Sequence, residues 1–429
     1  MDRPNIIYLH SHDTGRYLQP YGHAIPTPNL QRLAEQGVLF RQCFCAAPTC
    51  SPSRAALLTG QAPHSCGQFG LVNRGFELQH PERHLAQTLR RAGYLTALVG
   101  VQHVVRDAER TGYEVIRPRA GGRATAGTTA AALELLRAPQ ERPFFLDIGY
   151  SETHRLFAEP GPAEDPRYCL PPAPLPDTPE TRADMAAFKA SARILDDNVG
   201  AILSALEAQG LAEQTLVIST TDHGIAFPGM KCNLTDHGIG VSLIVRGPGG
   251  FTGGQVVDTM VSHLDLFPTV CAVAGIAPPE WLQGASLLPL VRGEADQVHE
   301  AIFAEVSYHA AYEPQRAVRA ARWKYIRRFM EWDRPHLANC DDGPSKDLWL
   351  RSGWPDRSVA SEQLYDLTFD PVETHNLAAD PAHQTVLAAL RGELDRWMRS
   401  TGDPLLAGSI PMPEGAVANR LDSLSPKDL

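Results

Sequence analysis

No stretch of the 429-residue chain stays apolar for the roughly 20 residues that a bilayer-spanning helix needs, so membrane insertion is not expected. No block of Lys or Arg offsets the formal net charge of −10, which argues against a nucleic-acid surface. An anionic substrate would need positive charge gathered locally. The eight cysteines (Cys43, Cys45, Cys50, Cys66, Cys169, Cys232, Cys271, Cys340) include no CxxC pair, so neither a zinc ribbon nor a disulfide framework is indicated. Most are expected to be buried thiols. The N-terminus, MDRPNIIYLH, enters a strand pattern at once and leaves no room for a signal peptide, so a cytoplasmic protein is the expectation. Internal repeats and low-complexity segments are lacking as well.

What is present is an ordinary globular composition, 43% hydrophobic and 21% charged, on a chain long enough for one large domain and a smaller appendage. Short apolar runs alternate with helical patterns. NIIYLH (5–10) reads as a fully buried strand, and TPNLQRLAEQG as a helix with Thr27 as N-cap, Pro28 in its first turn and Gly37 just past its end. HLAQTLRRAGYLTALVG predicts a helix closed by Gly93 and then a strand over 94–100. A helical patch at 126–137 precedes the strand PFFLDIGY, and a long helix around 183–209 precedes the strand TLVISTT. VSLIVRGP and VSHLDLFPTVCAVAG continue the alternation. This rhythm predicts an α/β fold: a mostly parallel sheet sandwiched by helices.

After about residue 310 the pattern changes. RAVRAARWKYIRRF alternates like antiparallel strands, WDRPHLANCDDGPSKDLWLRSGWP is loop-rich, and EQLYDLTFDPVETHNLAADP leads to an amphipathic helix at 381–399. The expected division is a catalytic domain over 1–310 and a small C-terminal α+β domain over 311–429 that ends in a polar tail.

The residues just beyond each strand carry a common chemistry. The first strand runs into His12 and Asp13, the 94–100 strand into His103, PFFLDIGY into His154, and TLVISTT into Asp222 and His223. In open parallel sheets ligands bind outside the carboxyl ends of strands, so these residues would meet in one crevice. A single histidine there would more often be structural, but four strand ends share the pattern.

The stretch CSPSRAALLTG (50–60) predicts a short helix, with Pro52 in the first turn, a Ser as cap and Gly60 at the end, whose N-terminus faces Cys50. Free N–H groups there favour an anion, and Arg54 adds a forked charge suited to tetrahedral oxyanions. By position alone, Cys50 reads equally well as a buried thiol ahead of a capped helix.

CSPSRAALLTG resembles the signature of the type I, formylglycine-dependent sulfatases of the alkaline-phosphatase-like superfamily. In that family the Cys of Cys-x-Pro-Ser-Arg is oxidised to formylglycine after translation. TPNLQRLAEQGVLF, GVQH, PFFLDIGYSETH, TTDHG, LDLFPTV and LYDLTFDPVETHNLAADP match the family in order, over nearly the whole chain. FGL, DHGIAFPGMKCNL and DPVETHNLAADP are most similar to the heparan N-sulfatase (sulfamidase) group. The resemblance implies an alkaline-phosphatase/sulfatase-like fold and hydrolysis of sulfate esters or sulfamates. One hydroxyl of the hydrated aldehyde attacks sulfur, and deprotonation of the other expels sulfate.

Carried onto this sequence, the resemblance makes Cys50 the formylglycine nucleophile and Asp13, Asp222 and His223 metal ligands, with Cys50 and His12 at the same ion. Arg54 would hold formylglycine, His103 would orient or deprotonate the diol, and His154 and Lys231 would bind sulfate and protonate the departing atom. One divalent metal is implied, calcium by family. Two imidazoles would favour Mn²⁺ or Zn²⁺ instead. The implied partners are a formylglycine-generating enzyme and a small anionic substrate such as a sulfated sugar or aryl sulfate, with no nucleic acid and no membrane; a homo-oligomer stays open.

Two positions depart from the family. His12 stands where a second acidic residue is usual, and it lies outside the ligand set unless the backbone turns sharply after it. Val101 replaces the usual Lys two residues before His103, and Arg106 or Arg155 would have to substitute. A phosphonate monoester or phosphodiester hydrolase of the same superfamily is therefore the rival reading, and a non-catalytic binding protein a further one. A second DHG, Asp236–Gly238, offers His237 either to the substrate pocket or to a loop turn, and His64 reads as structural.

Overall fold

The apolar run after Pro4 forms the strand β1 (Asn5–Ser11) in the computed structural model, which describes residues 3–118, 125–139 and 141–429. Side chains alternate across a strand, and both faces of β1 are buried: Ile6 and Tyr8 enter one core layer, Ile7 and Leu9 the other. Each such aliphatic side chain contributes about 1.5–3 kcal/mol on burial.

Eight more strands complete the sheet: β2 (Val38–Phe44), β3 (Leu95–Gly100), β4 (Val115–Pro118), β5 (Phe144–Gly149), β6 (Thr215–Thr221), β7 (Gly240–Val241), β8 (Leu243–Arg246) and β9 (Gln255–Ser262). Their order is β4-β3-β5-β1-β6-β8-β2-β7, with β9 also paired to β2. β4, β3, β5, β1 and β6 run parallel, as the alternation of strands and helices predicts. β8 and the short β7 run against their neighbours. The segment between β6 and β8 holds no crossover helix, so the chain returns from the end at which it left.

Helices cover both faces. α1 (Pro28–Gln36), with Thr27 and Gly37 as its caps, packs Leu30 and Leu33 with Ala132 of the helix Ala126–Arg137 and Val199 of the helix Pro179–Ala208. On the opposite face α2 (Cys50–Thr59) brings Leu57 and Leu58 against Leu89 and Phe267. None of the described helices is long and apolar enough to cross a membrane.

A second sheet, antiparallel, has the order β10 (Ala301–Tyr308), β11 (Tyr312–Ala320), β12 (Trp323–Arg328) and β13 (Glu362–Asp366). The helix Gln384–Thr401 buries Leu387, Leu390, Leu394 and Met398 against Val318, Tyr325 and Leu364 of this sheet. β10 lies ahead of position 311, in the stretch that the sequence pattern assigned to the larger domain. The loop-rich segment corrects the sequence reading in one respect: it contains a helix, Pro344–Arg351. Pro344 starts that helix, and Gly343 precedes it where a Cβ would lie 2.4 Å from Arg155 Nη1 and push that guanidinium aside.

Candidate active site

β3, β5, β1 and β6 are neighbours and parallel, so their carboxyl ends share one edge, and His103, His154, the pair His12–Asp13 and the pair Asp222–His223 all emerge there. The chain turns sharply at Asp13, whose φ of 51° is in the left-handed region that Asp tolerates better than most residues. That turn brings His12 as well as Asp13 to the centre. The Asp222 Oδ1 atom accepts the backbone N–H of Asp13 at 2.8 Å and that of His223 at 2.9 Å, tying the two strand ends together.

Cys50 is the first residue of α2 rather than the residue before it, and Thr49 in the cap position makes no side-chain bond. The expected serine cap is therefore absent: Ser53 instead donates to the Asp222 carbonyl at 2.5 Å, and Ser51 accepts from Val72 N. The Cys50 Sγ atom lies 3.4 Å from His223 Nε2. Burial pushes the thiol well above its ordinary value, against the lowering pull of Lys231.

Ligand-type atoms of His12, Asp13, Cys50 and Asp222 all lie within 4.8 Å of one another. His223 Nε2 is 3.3 Å from Asp13 Oδ1 and 3.6 Å from Asp222 Oδ2, while its Nδ1 donates to Gly224 O at 3.0 Å, which leaves Nε2 facing the carboxylates. His12 Nδ1 is 3.2 Å from Asp222 Oδ2 without an aligned hydrogen bond, and Asp13 Oδ1 has no hydrogen-bond partner either. Buried lone pairs that converge without donors are costly. These residues therefore fit a divalent cation of mixed nitrogen and oxygen preference.

Arg54 lies beside this cluster, its Nη2 donating to Ser11 O at 2.8 Å and to Asp222 Oδ2 at 3.0 Å, and its Nη1 donating to His10 Nδ1. His10 is anchored by Asp147, whose other oxygen accepts from the Tyr113 hydroxyl. Burial would raise the Asp222 carboxyl, but His223, Arg54 and His12 outweigh it and hold it well below the ordinary carboxylate range. Lys231, wholly buried, donates to Asp13 Oδ2 at 2.9 Å and to Asp341 Oδ2 at 2.8 Å. Burial would lower its ammonium, yet Asp13 and Asp341 hold it well above its usual value.

A cavity of about 900 Å³ opens onto His12, Val101, His103 and His154, with Phe157, Ser191 and Asn198 farther along its wall. His103 is pushed down to about 3 by burial and by nearby Arg54, so the ring is neutral. Its Nε2–H donates to Asn73 Oδ1 at 3.3 Å, and its Nδ1 is left without a partner, the form a general base needs. His154 donates from Nδ1 to Arg155 O, which turns Nε2 away from that carbonyl.

Residues 4–276 match a family profile described as sulfatase, and residues 230–348 one described as N-sulphoglucosamine sulphohydrolase, C-terminal. The human N-sulphoglucosamine sulphohydrolase is 30% identical over 97% of this chain and 93% of its own. The chain belongs to the sulfatase family. It is a sulfuric ester or sulfamate hydrolase. Solved structures agree on the sulfatase fold. A complex described as holding its substrate, D-glucosamine-2-N,6-O-disulfate, aligns with a TM-score of 0.75 at 18% identity, covering 94% of this chain and 99% of the other. The phosphonate monoester hydrolase of Agrobacterium radiobacter aligns at 0.74 and 22%, covering 97% and 100%.

In this sulfatase neither arginine replaces the lysine missing at Val101. Arg155 is locked in a two-pronged pair with Asp184 at 2.7 and 2.6 Å, and Arg106 faces Glu77 at 3.5 Å. His237 bonds the Tyr17 hydroxyl at 3.1 Å in a short helical turn, and Asp236 pairs with Arg319 and Lys324 of the second sheet. His64 is tied to Glu305 and Thr401. Sequence reasoning passed over His10, Asp147 and Asp341. An aspartate in the middle of the apolar strand PFFLDIGY was a signal that a buried partner exists; Asp341, in a segment with no periodicity, carried none.

Proposed function

We propose that this chain is a metal-dependent sulfatase whose nucleophile is formylglycine made from Cys50, and that it acts on an N- or O-sulfated sugar. The observation that carries this reading is the place of Cys50: it heads α2 in the CSPSR stretch, against His223 and beside His12 Nδ1 and Asp13 Oδ1, which make no hydrogen bond. His12, Asp13, Asp222 and His223, with the modified residue 50, would hold one divalent ion. When bound, it would acidify the aldehyde hydrate and offset sulfuryl charge. Calcium is the ion the family implies, and the two imidazoles widen the choice to Mn²⁺ or Zn²⁺.

The protein's own groups take the remaining parts. Arg54, its orientation set by His10, Ser11 and Asp222, directs its charge at the formylglycine and the sulfuryl oxygens. His103, neutral and with a bare Nδ1, accepts the proton whose loss releases sulfate. Lys231 and His154 meet the charge that develops on the departing oxygen or nitrogen. The cavity beyond His154 is roomy enough for a sugar ring. The named substrates of the human relative and of the glucosamine disulfate complex support an amino-sugar sulfate.

A phosphonate monoester or phosphodiester hydrolase is the second reading, favoured by Val101 in the place of a cation and by the likeness to the Agrobacterium enzyme. The test is to mature the protein with a formylglycine-generating enzyme, load it with metal, verify the aldehyde at position 50 by intact mass, and compare turnover. Glucosamine N-sulfate and aryl sulfate should turn over faster than bis-aryl phosphate and aryl phosphonate. Sulfate turnover slower by orders of magnitude would replace this reading with the second. Retention of an unmodified thiol with no bound metal would point to a binding protein.

A further inference from the structure

Lys231 enters the centre from the segment after β6, whereas Asp341, which shares its ammonium with Asp13, comes from the connection between β12 and β13. The backbone around Asp341 is fastened on several sides. Lys346, on the helix Pro344–Arg351, donates to Cys340 O at 2.7 Å and to Asp342 Oδ1 at 2.9 Å. Ser425, near the C-terminus, donates to Asp342 Oδ2 at 2.7 Å, and Asn339 accepts the Ala311 N–H at 2.8 Å. Asp341 is thus presented to Lys231 by a braced loop.

An ammonium has three N–H bonds in fixed relative directions. With one on Asp13 and one on Asp341, the third has a single direction left. Without the Asp341 carboxylate, Lys231 would be free to turn entirely onto Asp13, one of the groups read as a metal ligand.

We propose that Asp341 is a positioning residue for departure of the leaving group. By holding one N–H of Lys231, it aims the third at the oxygen or nitrogen that separates from sulfur. No bond to Asp341 forms or breaks; the Lys231 hydrogen bond strengthens as the sulfur bond opens and its electron pair collects on the departing atom. This inference rests on the part given to Lys231 above.

The experiment uses matured, metal-loaded enzyme and a series of aryl sulfates whose phenols differ in acidity. The readout is the slope of log kcat/KM against phenol pKa for the wild type, Asp341→Asn, Asp341→Glu and Lys231→Ala. Asp341→Asn should lower kcat about 10- to 100-fold, with KM changed by less than about threefold. Its loss should grow as the phenol becomes less acidic, which steepens the slope. Asp341→Glu should restore part of the wild-type slope. A wild-type slope in Asp341→Asn, whatever its rate, overturns the proposal. If that variant loses cooperative thermal unfolding, the slope of Asp341→Glu decides: a value between wild type and Lys231→Ala supports the proposal, and a wild-type value overturns it. A wild-type slope in Lys231→Ala would instead overturn the part assigned to that lysine. A steep slope in Lys231→Ala beside a wild-type one in Asp341→Asn removes the Asp341 proposal alone.

Discussion

Two buried clusters of histidine and carboxylate have nearly the same composition and opposite character. At the sheet edge, His12, Asp13, Cys50 and Asp222 converge with His12 Nδ1 and Asp13 Oδ1 unpartnered, beside a cavity. Between the two sheets, His64, Glu305 and Asp403 also converge, but Arg316 enters among them. There His64 donates to Glu305 and bonds the Thr401 hydroxyl, and none of the polar side-chain atoms of these four residues lacks a partner. Residue type alone does not separate a reactive centre from a structural clasp. What marks the first cluster as the candidate centre is that its unpartnered ligand atoms converge beside a cavity, because a buried acceptor without a donor is costly unless a cation, substrate or water completes it.

The comparison can be broken most directly at Cys50. Cys50→Ala, matured in parallel with wild type, should cut turnover by about four orders of magnitude or more. Its urea midpoint should stay near the wild-type value, since one buried sulfur is lost at a helix start. Retained turnover would move the reactive centre elsewhere.

The reverse result is expected at the clasp. Glu305→Ala strands buried His64 without its carboxylate and leaves Arg316 only the Asp403 carboxylate, and should cost about 3–5 kcal/mol in urea unfolding. Turnover per folded molecule should be unchanged. A large activity loss with full stability would show that the clasp belongs to the chemistry.

Metal response gives a smaller separation. Chelation should lower stability by about 2.7 kcal/mol if the ion had been present at a hundredfold excess over its Kd. Asp222→Asn should abolish that response in a thermal-shift assay, and Asp403→Asn, though destabilised, should keep it. Loss of response in Asp403→Asn would place the ion in the wrong cluster.

The smallest effect per step, here per pH unit, concerns histidines outside both clusters. Burial pushes His84 down to about 4 and His263 to about 3. Their folded values lie below the unfolded histidine value, so the unfolded chain binds more protons as the pH falls below about 6.5. Stability that is fully present above that pH should be lost toward pH 4, by about 1.4 kcal/mol per pH unit for each ring. His263→Gln should flatten this slope in urea titrations at stepped pH; an unaltered slope would show that His263 stays neutral in both states.

Much of the reactive edge was legible in the sequence because it depends on strand ends. An apolar run such as NIIYLH reads as a doubly covered strand, and the residues next along the chain then emerge at the sheet edge. Asp13, His103, His154, Asp222 and His223 were found that way, and the helix 28–36 from its caps. Asp341 was hidden because it reaches Lys231 from a loop 110 positions away. His10 looked like one more strand residue, since only the neighbouring β5 supplies its partner Asp147. The helix Pro344–Arg351 escaped because its first turn is buried through polar contacts, Ser345 N–H to Asp184 and Lys346 to Cys340 O, rather than through an apolar stripe.

By itself, then, the sequence determined the layered α/β class and the edge at which chemistry-bearing residues gather, since local periodicity and chain direction control both; Cys50 stood out only through the resemblance of its CSPSR stretch. The tertiary structure alone decided which lone pairs stay unspent: His64 and Glu305 become a clasp because Arg316 from β11 reaches them, while His12 and Asp13 remain open. Partnership inside a core is a property of space, set by side chains that arrive from distant parts of the chain, and spacing along the sequence does not encode it.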